Sequence, residues 1–467
     1  MDKELKRMIR VFTAMCILFV VLIVYLSCFQ VFTAPKIKNN SYNKRLWIDE
    51  ENILRGMILD RNGKILAYSE KTEDSSIRHY NYGSLYGYII GYSYREYGKA
   101  GLEATYNNEL LNLKESATLN EIKKIIEPNG EGNSLKLTLD HGLQEMANGL
   151  LKGKKGAIVL MNPQTGEVYA MASQPTFNSS TLKEDWKRLV ENPDSPFINR
   201  ATSGLYAPGS TFKVVTSVAS LETPNVETNY DCSGSIKIDG YKLKDYGGKA
   251  HGKLDLEEAL VKSCNSYFAQ MGIQVGKNKL GEVSEKFMLN NQIPFDLPVK
   301  KSSFPYKEGM GKTDLAASSI GQGKVLVTPL NMALVASAIS NGGDMVKPIL
   351  VKEIISPDGK VIKTNYTETI STVTNSLVAN ELKDMMVEVV KRGTGTNARI
   401  KNIKVAGKTG TAENASGKTH AWFIGFAPAD NPKYAISVIL EEDGTTGGKS
   451  AAPIARKLMI EALNRIK

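Results

Sequence analysis

Three short polar strings stand in one order along the chain, and together they contain the groups that acyl transfer requires. They are Ser210-Thr211-Phe212-Lys213, Ser263-Cys264-Asn265 and Lys408-Thr409-Gly410-Thr411. Each is common alone: Ser180 and Lys183 share the first spacing in a surface-like stretch. In combination they offer a nucleophile with a nearby base, a proton relay and a strand edge that can bind an anion.

The first string is predicted to lie at the start of a helix. Ala207-Pro208-Gly209 precedes it, and apolar residues follow at near-helical spacing through Leu221. Lys213 then lies one turn after Ser210 on the same face. A serine hydroxyl needs an adjacent base, and a lysine buried among apolar neighbours loses part of its preference for the charged form. We therefore expect Lys213 to accept the proton of Ser210.

The second string is predicted to end an amphipathic helix that runs from Leu254 to Val261. Ser263 can relay a proton between Lys213 and a leaving amine, and Asn265 can hold the substrate amide and the lysine by hydrogen bonds. The alternative is an ordinary helix C-cap, which Ser and Asn often form. On these residues alone the cap is the better supported interpretation.

The third string is predicted to be an edge strand. Gly410 allows a ligand backbone to approach closely, and Lys408 with the hydroxyls of Thr409 and Thr411 can bind a carboxylate. The backbone N–H of Thr411 can join that of Ser210 in an oxyanion hole. A glycine-rich turn is the weaker alternative, so this string is the most specific of the three.

The elements that must bring the strings together predict an α+β domain. Strands are indicated at 157–161, 167–172, 422–427 and 434–440, a helix capped by Asp140 near the start, and a helix at 454–466. Because strands lie at both ends with helices between, distant segments must close one sheet. Upstream, the stretch 55–67 predicts a β-hairpin around Asn62-Gly63, and the breaker-rich stretch 127–133 marks a boundary. We predict one domain at 34–134 and a second at 135–467.

The stretch from Val11 to Phe32 contains no charged residue, and roughly 20 apolar residues suffice to cross a bilayer. Basic residues precede it, which places residues 1–10 in the cytoplasm and the domains outside. We therefore predict a membrane anchor at 11–33. A cleaved signal peptide is the alternative, but its apolar region would be shorter and would end in a small-residue cleavage site.

The remaining composition excludes several function classes. The net charge of +10 is spread over 467 residues, and without a basic cluster in a known module we expect no nucleic-acid binding. A basic outer face suits anionic lipid or acidic wall polymers, and solvated surface lysines explain it equally well. Of the four cysteines only Cys232 and Cys264 lie outside the anchor. Two cysteines cannot form the set of disulfide bonds that stabilises small secreted domains.

A metal site is not expected. Cys232, Asp245, His251 and Cys264 are ligand types within a short span, but their spacing matches no common zinc pattern. Cys264 is more simply a packed small residue. Whether Cys232, His251 and Cys264 bind zinc is nevertheless left open by the sequence.

The ordered strings resemble the signature of the serine penicillin-recognising enzymes. Further stretches are similar to class B (monofunctional) penicillin-binding proteins: Arg55-Gly56, Asp60-Arg61-Asn62-Gly63, Gly101-Leu102-Glu103, Asn199-Arg200, Gly321-Gln322-Gly323 and Thr328-Pro329-Leu330. The resemblance covers nearly the whole chain after Lys36. It implies a transmembrane helix, a small mixed α/β pedestal (dimerisation-like) domain, and a transpeptidase domain with an antiparallel sheet flanked by helices.

The resemblance also implies a peptidoglycan D,D-transpeptidase. Ser210 would attack the D-Ala-D-Ala bond of a stem peptide, release terminal D-alanine and pass the acyl group to an amine on a neighbouring stem, and β-lactams would acylate the same serine. Lys213 would be the base, Ser263 and Asn265 the relay, and the 408–411 string the carboxylate clamp. No cofactor is implied. Implied partners are lipid-linked glycan, the cytoplasmic membrane and a SEDS-family glycan polymerase.

Three alternatives stay open at this point. A β-lactamase or β-lactam sensor would need a second base for deacylation, and none can be placed. A D,D-carboxypeptidase would use water in place of the acceptor amine. A non-catalytic scaffold that activates a polymerase would tolerate damage to the strings, yet all three are intact. The growth stage, polymerase, acceptor, β-lactam preference and oligomeric state are not indicated by the sequence.

Overall fold

The protein is described by a computed structural model, which covers residues 3–33, 53–72, 76–113, 130–414 and 416–465. The helices are Lys3–Cys28, Leu102–Thr105, Asn107–Leu110, His141–Leu150, Leu182–Val190, Arg200–Ser203, Lys213–Leu221, Leu256–Lys262, Asn265–Val275, Lys277–Lys286, Lys312–Ser319, Pro329–Ser340, Ser376–Arg392 and Ala451–Arg465. Shorter turns of 3₁₀ helix are Gly209–Phe212, Tyr246–Gly248 and Thr396–Ala398. This mixture with two main sheets confirms the predicted α+β class.

The larger domain is built on a five-stranded antiparallel sheet. Its strands, in spatial order, are Ala406–Ala412, His420–Ala427, Tyr434–Leu440, Gly156–Met161 and Val168–Gln174. The predicted strands are therefore confirmed, and segments from both ends of the domain close the sheet. The strand Ala406–Ala412 is an edge strand, as predicted for the third string.

Both faces of this sheet are covered, which explains why its strands are apolar throughout. Trp422 and Ile424 pack into one core with the helix Pro329–Ser340. Phe423 packs into a second core with the helix Ala451–Arg465 on the other side. Since alternate side chains of a strand point to opposite faces, both sets are buried. The strand that pairs with the edge strand is therefore buried on both faces.

A six-stranded sheet joins the two predicted domains. Its order is Val361–Thr364, Val351–Ile355, Ser134–Leu137, Ile58–Leu59, Ile65–Lys71 and Ser76–Tyr80. Ile58–Leu59 pairs antiparallel with Ile65–Lys71, which confirms the hairpin around Asn62-Gly63. Ser134–Leu137 pairs with strands from both parts of the chain. The division at 134, which remains a prediction, thus falls at a strand that the two parts share.

A buried ion cluster supports the smaller domain. The carboxylate of Glu103 is fully buried and accepts hydrogen bonds from the guanidinium groups of Arg55 and Arg78. Burial alone would raise the pKa of Glu103, but the two guanidinium groups hold it below its usual range. Arg78 also donates to the carbonyl of Gly56 at 2.7 Å, so the cluster ties the helix Leu102–Thr105 to the strand Ser76–Tyr80 and to residues 55–56.

Local capping follows the sequence closely. The side chain of Asp140 accepts a hydrogen bond from the N–H of Leu143 at 3.0 Å, as the N-cap of the helix His141–Leu150.

At the N-terminus, the helix Lys3–Cys28 continues into a π-helical turn, Phe29–Thr33, and both are exposed. Within the part of the chain that the structure describes, this is the one helix long and apolar enough to cross a membrane.

Candidate active site

Ser210 lies in the 3₁₀ turn Gly209–Phe212, and Lys213 begins the α-helix that follows. The predicted helix start is therefore confirmed. Gly209 has φ +53°, and a Cβ built on it would lie 2.7 Å from the carbonyl oxygen of Thr411. Glycine is needed here because the turn that carries Ser210 packs directly on the edge strand. The first and third strings are thus brought together through their backbones.

Lys213 is fully buried and points toward the second string. Its Nζ donates to the carbonyl oxygen of Ser263 at 2.7 Å and to Oδ1 of Asn265 at 2.8 Å, and lies 3.4 Å from Oγ of Ser263. Burial lowers the pKa of Lys213 to about 7, while the nearby Cys264 and Asp245 act in the opposite direction. A lysine with this pKa is partly neutral at physiological pH and can act as a base.

The second string does not simply end a helix. The helix Leu256–Lys262 stops at Ser263, which adopts a left-handed conformation (φ 58°, ψ 41°), and Asn265 begins the next helix, Asn265–Val275. The predicted end of the first helix at Ser263 is confirmed. The prediction that Asn265 also belongs to that helix end is wrong, because Cys264 is the N-cap of a new helix that Asn265 begins. The sharp turn turns the backbone carbonyl of Ser263 toward Lys213. The C-cap and the proposed relay are therefore compatible roles of one residue.

The third string contacts the same Ser263 hydroxyl that Lys213 approaches. Lys408 is fully buried, and its Nζ donates to Oγ of Ser263 at 2.8 Å and to the carbonyl of Thr409 at 3.0 Å. A Cβ on Gly410 would lie 2.8 Å from the carbonyl of Pro208. The strand therefore lies against both the nucleophile turn and the second string. All three strings meet around Ser263, as their joint occurrence predicted.

The two lysines share one buried environment, which affects the charge of both. Burial, and then the charge of Lys213, lowers the pKa of Lys408 well below its usual value. Both ammonium groups have Ser263 as a neighbour. Since two like charges this close to one another are costly in a dry site, the pair favours states that carry fewer than two charges.

The carboxylate clamp and the oxyanion hole stay predictions. The hydroxyl of Thr409 contacts the hydroxyl of Thr394, with 2.6 Å between their Oγ1 atoms. Thr411 is half-buried. The carbonyl of Thr411 accepts from Nε2 of Gln322 at 3.5 Å. Because alternate side chains of a strand point to opposite faces, Thr409 and Thr411 lie on one face of the strand and Lys408 on the other.

Two contributors were not assigned a role by sequence reasoning. Thr394, in a Gly-Thr repeat after the helix Ser376–Arg392, contacts Thr409. Asp245 is buried, and its carboxylate accepts from the backbone N–H of Asn265 and from Oγ of Ser266. The repeat at 393–396 was a usable signal for the first. Nothing local to Asp245 indicates the second, because its partners lie about 20 residues away.

The four side chains considered as metal ligands converge beside the second string. One ligand atom each from Cys232, Asp245, His251 and Cys264 lies within 4.8 Å of all the others. The two cysteines are buried and not disulfide-bonded. Spacing along the sequence did not indicate this convergence, because Cys232 and His251 meet through the pairing of the strands Tyr230–Cys232 and Gly252–Leu254, and Asp245 and Cys264 come from other segments.

Comparison with known proteins agrees with this geometry. The family model "Penicillin binding protein transpeptidase domain" matches residues 156–460, and "Penicillin binding protein A dimerisation domain" matches residues 55–135. The peptidoglycan D,D-transpeptidase PbpA of Mycolicibacterium smegmatis is 32% identical, over 97% of this chain and 98% of the relative. Stage V sporulation protein D of Bacillus subtilis is 32% identical, over 84% of this chain and 64% of that protein.

Solved structures show the same architecture. Penicillin-binding protein A from M. tuberculosis, in a ceftriaxone acyl-enzyme complex, superposes with a TM-score of 0.82 at 32% identity, over 89% of this chain and 99% of that chain. A transpeptidase domain from Eggerthella lenta gives 0.81 at 32% identity, over 88% and 99%. The matched models and these relatives span both sheets. The chain belongs to the class B penicillin-binding proteins.

Proposed function

We propose that this chain is a peptidoglycan D,D-transpeptidase that works through an acyl-enzyme on Ser210. The observation that carries the proposal is the meeting of two buried lysines on Ser263, with Ser210 one helical turn before the first of them. Relatives named D,D-transpeptidases match nearly the whole chain. A buried lysine of lowered pKa beside a serine is the arrangement that serine activation needs.

Acylation can be followed atom by atom. Oγ of Ser210 attacks the carbonyl carbon of the penultimate D-alanine, and its proton passes to Nζ of Lys213. The C–N bond to the terminal D-alanine then breaks, and the leaving amine takes a proton that Ser263 relays from Lys213. The relay is short because Nζ of Lys213 lies 3.4 Å from Oγ of Ser263. The product is an ester on Ser210.

Transfer reverses these proton movements. The amine of a neighbouring stem peptide attacks the ester carbonyl and gives up a proton toward Lys213. The C–O bond to Ser210 breaks, and Oγ regains its proton. Asn265 keeps Lys213 in place throughout, through its 2.8 Å hydrogen bond. A β-lactam follows the first half of this path and stays on Ser210, since its leaving amine remains attached.

Substrate binding is assigned to the edge strand. The free edge of Ala406–Ala412 can pair with an extended stem peptide, and Gly410 leaves room for its backbone. The hydroxyls of Thr409 and Thr411 donate hydrogen bonds to the terminal carboxylate. The positive charge of Lys408 attracts the same carboxylate. The N–H groups of Ser210 and Thr411 bind the developing oxyanion.

The apolar N-terminal helix supports anchoring at the cytoplasmic membrane. We assign residues 1–10 to the cytoplasm and the catalytic domain to the outer side, because basic residues precede the helix. Lipid-linked glycan then lies within reach of the active site. A membrane glycan polymerase of the SEDS family is the proposed partner, which would supply the strands that this chain cross-links.

The full-length chain in detergent, treated with penicillin and analysed by intact mass, tests the nucleophile. We expect one covalent adduct, on the peptide that contains Ser210, and none in Ser210→Ala. Ser180→Ala is the matched control, because Ser180 has the same spacing to a lysine but is exposed. An adduct retained by Ser210→Ala, or lost in Ser180→Ala, would refute the assignment.

Two further assays separate the alternatives. Rapid turnover of penicillin would identify a β-lactamase, whereas a long-lived adduct agrees with a transpeptidase. Product analysis with lipid-linked substrate distinguishes cross-linking from carboxypeptidase trimming. Full complementation in cells by Ser210→Ala would leave only a scaffolding function.

A further inference from the structure

Thr394 brings a hydroxyl to the third string from a separate segment of the chain. Its Oγ1 lies 2.6 Å from Oγ1 of Thr409, and among the residues that the structure describes this is the one hydrogen-bond partner of the Thr394 hydroxyl. Thr394 is exposed, whereas Thr409 exposes only 6% of its surface. The hydroxyl of Thr409 therefore has little access to water, and its orientation depends on Thr394.

The backbone around Thr394 is fixed against both the second and the third strings. Its N–H donates to the carbonyl of Val261 at 3.4 Å, in the helix that ends at Ser263. On the other side, a Cβ built on Gly448 would lie 2.5 Å from the carbonyl oxygen of Thr394 and 3.8 Å from Cγ2 of Thr409. Only glycine lets the chain at 448 pack this closely on the threonine pair. Three distant segments thus set the position of the Thr394 hydroxyl.

The direction of the hydrogen bond between the two threonines decides what Thr409 can offer to a ligand. Each hydroxyl has one hydrogen and two acceptor lone pairs. If Thr409 donates to Thr394, it presents only lone pairs to the cleft, and these repel a carboxylate. If Thr394 donates, the hydrogen of Thr409 is free to point at the carboxylate. The second arrangement is also the stronger donor, because a hydroxyl that accepts a hydrogen bond is polarised by it.

We propose that Thr394 is a positioning residue of the carboxylate clamp: its hydroxyl donates to Thr409, so that Thr409 donates to the terminal carboxylate of the substrate. This inference rests on the proposed function. The ligands concerned are anions, namely the C-terminal carboxylate of a D-Ala-D-Ala stem peptide and the carboxylate of a β-lactam. Thr394 acts through Thr409 and takes no part in proton transfer at Ser210.

The effect of Thr394 should fall on ligand affinity and not on the chemical step. The carboxylate is not the reacting group, so its contacts are the same in the bound state and in the transition state, and such contacts change the apparent dissociation constant alone. Thr394→Val keeps the shape of the side chain and removes the hydroxyl. We expect it to weaken the apparent affinity for penicillin about 3- to 10-fold, as for the loss of one neutral hydrogen bond, and to change the limiting acylation rate less than about twofold.

Stopped-flow acylation of the full-length chain in detergent, measured over a range of penicillin concentrations, separates these two constants. Thr394→Ser retains the hydroxyl and should keep the affinity of the unmodified chain. Thr396→Val is the matched control, because Thr396 is the next threonine of the same Gly-Thr repeat and its hydroxyl has no hydrogen-bond partner within the described ranges. The methyl ester of the same penicillin should lose less affinity in Thr394→Val, because a neutral acceptor forms a weaker hydrogen bond than a carboxylate.

A double-mutant cycle shows whether Thr394 acts through Thr409. Thr409→Val alone should weaken the apparent affinity at least as much as Thr394→Val. Adding Thr394→Val to Thr409→Val should cost less than about a further twofold, because residues of one hydrogen-bond network do not act additively. A purely structural role of Thr394 would give the same loss in both backgrounds.

Three results would overturn the inference. An unchanged affinity in Thr394→Val, with circular dichroism showing a folded chain, would mean that the hydroxyl is not needed. An equal loss in Thr394→Ser or in Thr396→Val would assign the effect to the packing of the segment. Full additivity with Thr409→Val would separate the two threonines. Failure of the proposed function looks different, because the penicillin adduct would then not map to Ser210 in the unmodified chain.

Discussion

The protonation of Lys213 gives a quantitative prediction for the pH dependence of acylation. Burial lowers its pKa to about 7, and only the neutral amine can take the proton of Ser210. Because the neutral fraction grows as protons are removed, the acylation rate should rise with pH and level off above the pKa. An ordinary lysine would behave differently over the same range.

The size of the rise follows from the pKa. A group of pKa about 7 is neutral in about 9% of molecules at pH 6, about 50% at pH 7 and about 91% at pH 8. Acylation should therefore become about tenfold faster from pH 6 to pH 8, with most of the gain below pH 7.5. A lysine of pKa about 10.4 would give about a hundredfold rise with no levelling.

Stopped-flow measurement with a fluorescent penicillin, at sub-saturating concentration and constant ionic strength, reports this rate for the full-length chain. Circular dichroism at each pH confirms that the fold persists. Lys213→Arg is the matched variant, since its guanidinium stays protonated at every pH used. We expect its acylation to be slower by about 10²–10⁴-fold and its pH profile to be flat.

Two outcomes would refute the reasoning. A log-linear rise through pH 8 and beyond would mean that Lys213 has an ordinary pKa despite its burial. A levelling near pH 7 that persists in Lys213→Arg would assign the titration to another group, and Lys213 would lose its role as the base.

Other substitutions test the supporting structure. Glu103→Gln should lower the free energy of unfolding in urea by about 3–5 kcal/mol, because two buried guanidinium groups lose their counter-charge, whereas Glu96→Gln in an exposed pair should change it by less than about 1 kcal/mol. Gly410→Ala should slow penicillin acylation at least tenfold, because the new Cβ would meet the carbonyl of Pro208. Gly149→Ala is the control: the space around Gly149 is open, so acylation should be unchanged and the helix should be stabilised by about 0.5–1 kcal/mol. Ser263→Ala and Ser263→Gly should both slow acylation by about 10²–10⁴-fold, but the glycine variant should be more stable in urea by about 1 kcal/mol, because Ser263 has positive φ; equal stabilities would contradict that account.

Most elements that position the site were predictable because their signals are local. Asn62-Gly63 fixed a hairpin, Asp140 capped a helix, and apolar runs gave the strands of the five-stranded sheet. The position of Lys213 one turn after Ser210 needed only helical periodicity. Each of these depends on residues within a few positions of one another, so a single sequence carries the information.

The parts that escaped prediction depend on pairings between distant segments. Asn265 was predicted to lie at a helix end. Instead, Cys264 caps a new helix, and the first N–H groups of that helix donate to the carboxylate of Asp245. The contact of Thr394 with Thr409 needs the helix Ser376–Arg392 to end beside the edge strand. Cys232 and His251 come together because two short strands pair, and Asp245 and Cys264 reach them from other segments. Spacing alone cannot report such contacts.

The shared hydroxyl of Ser263 couples the two lysines and suggests how substrate prepares the base. Lys213 and Lys408 are both fully buried and both approach Ser263, so their protons are lost in steps that belong to the pair. A carboxylate bound at Thr409 and Thr411 favours a charged Lys408, because an opposite charge nearby stabilises the protonated form. The charge on Lys408 in turn disfavours a second charge on Lys213. If the proposed clamp is correct, we therefore expect substrate binding to favour the proton on Lys408 and the neutral amine on Lys213, the state in which Lys213 can activate Ser210.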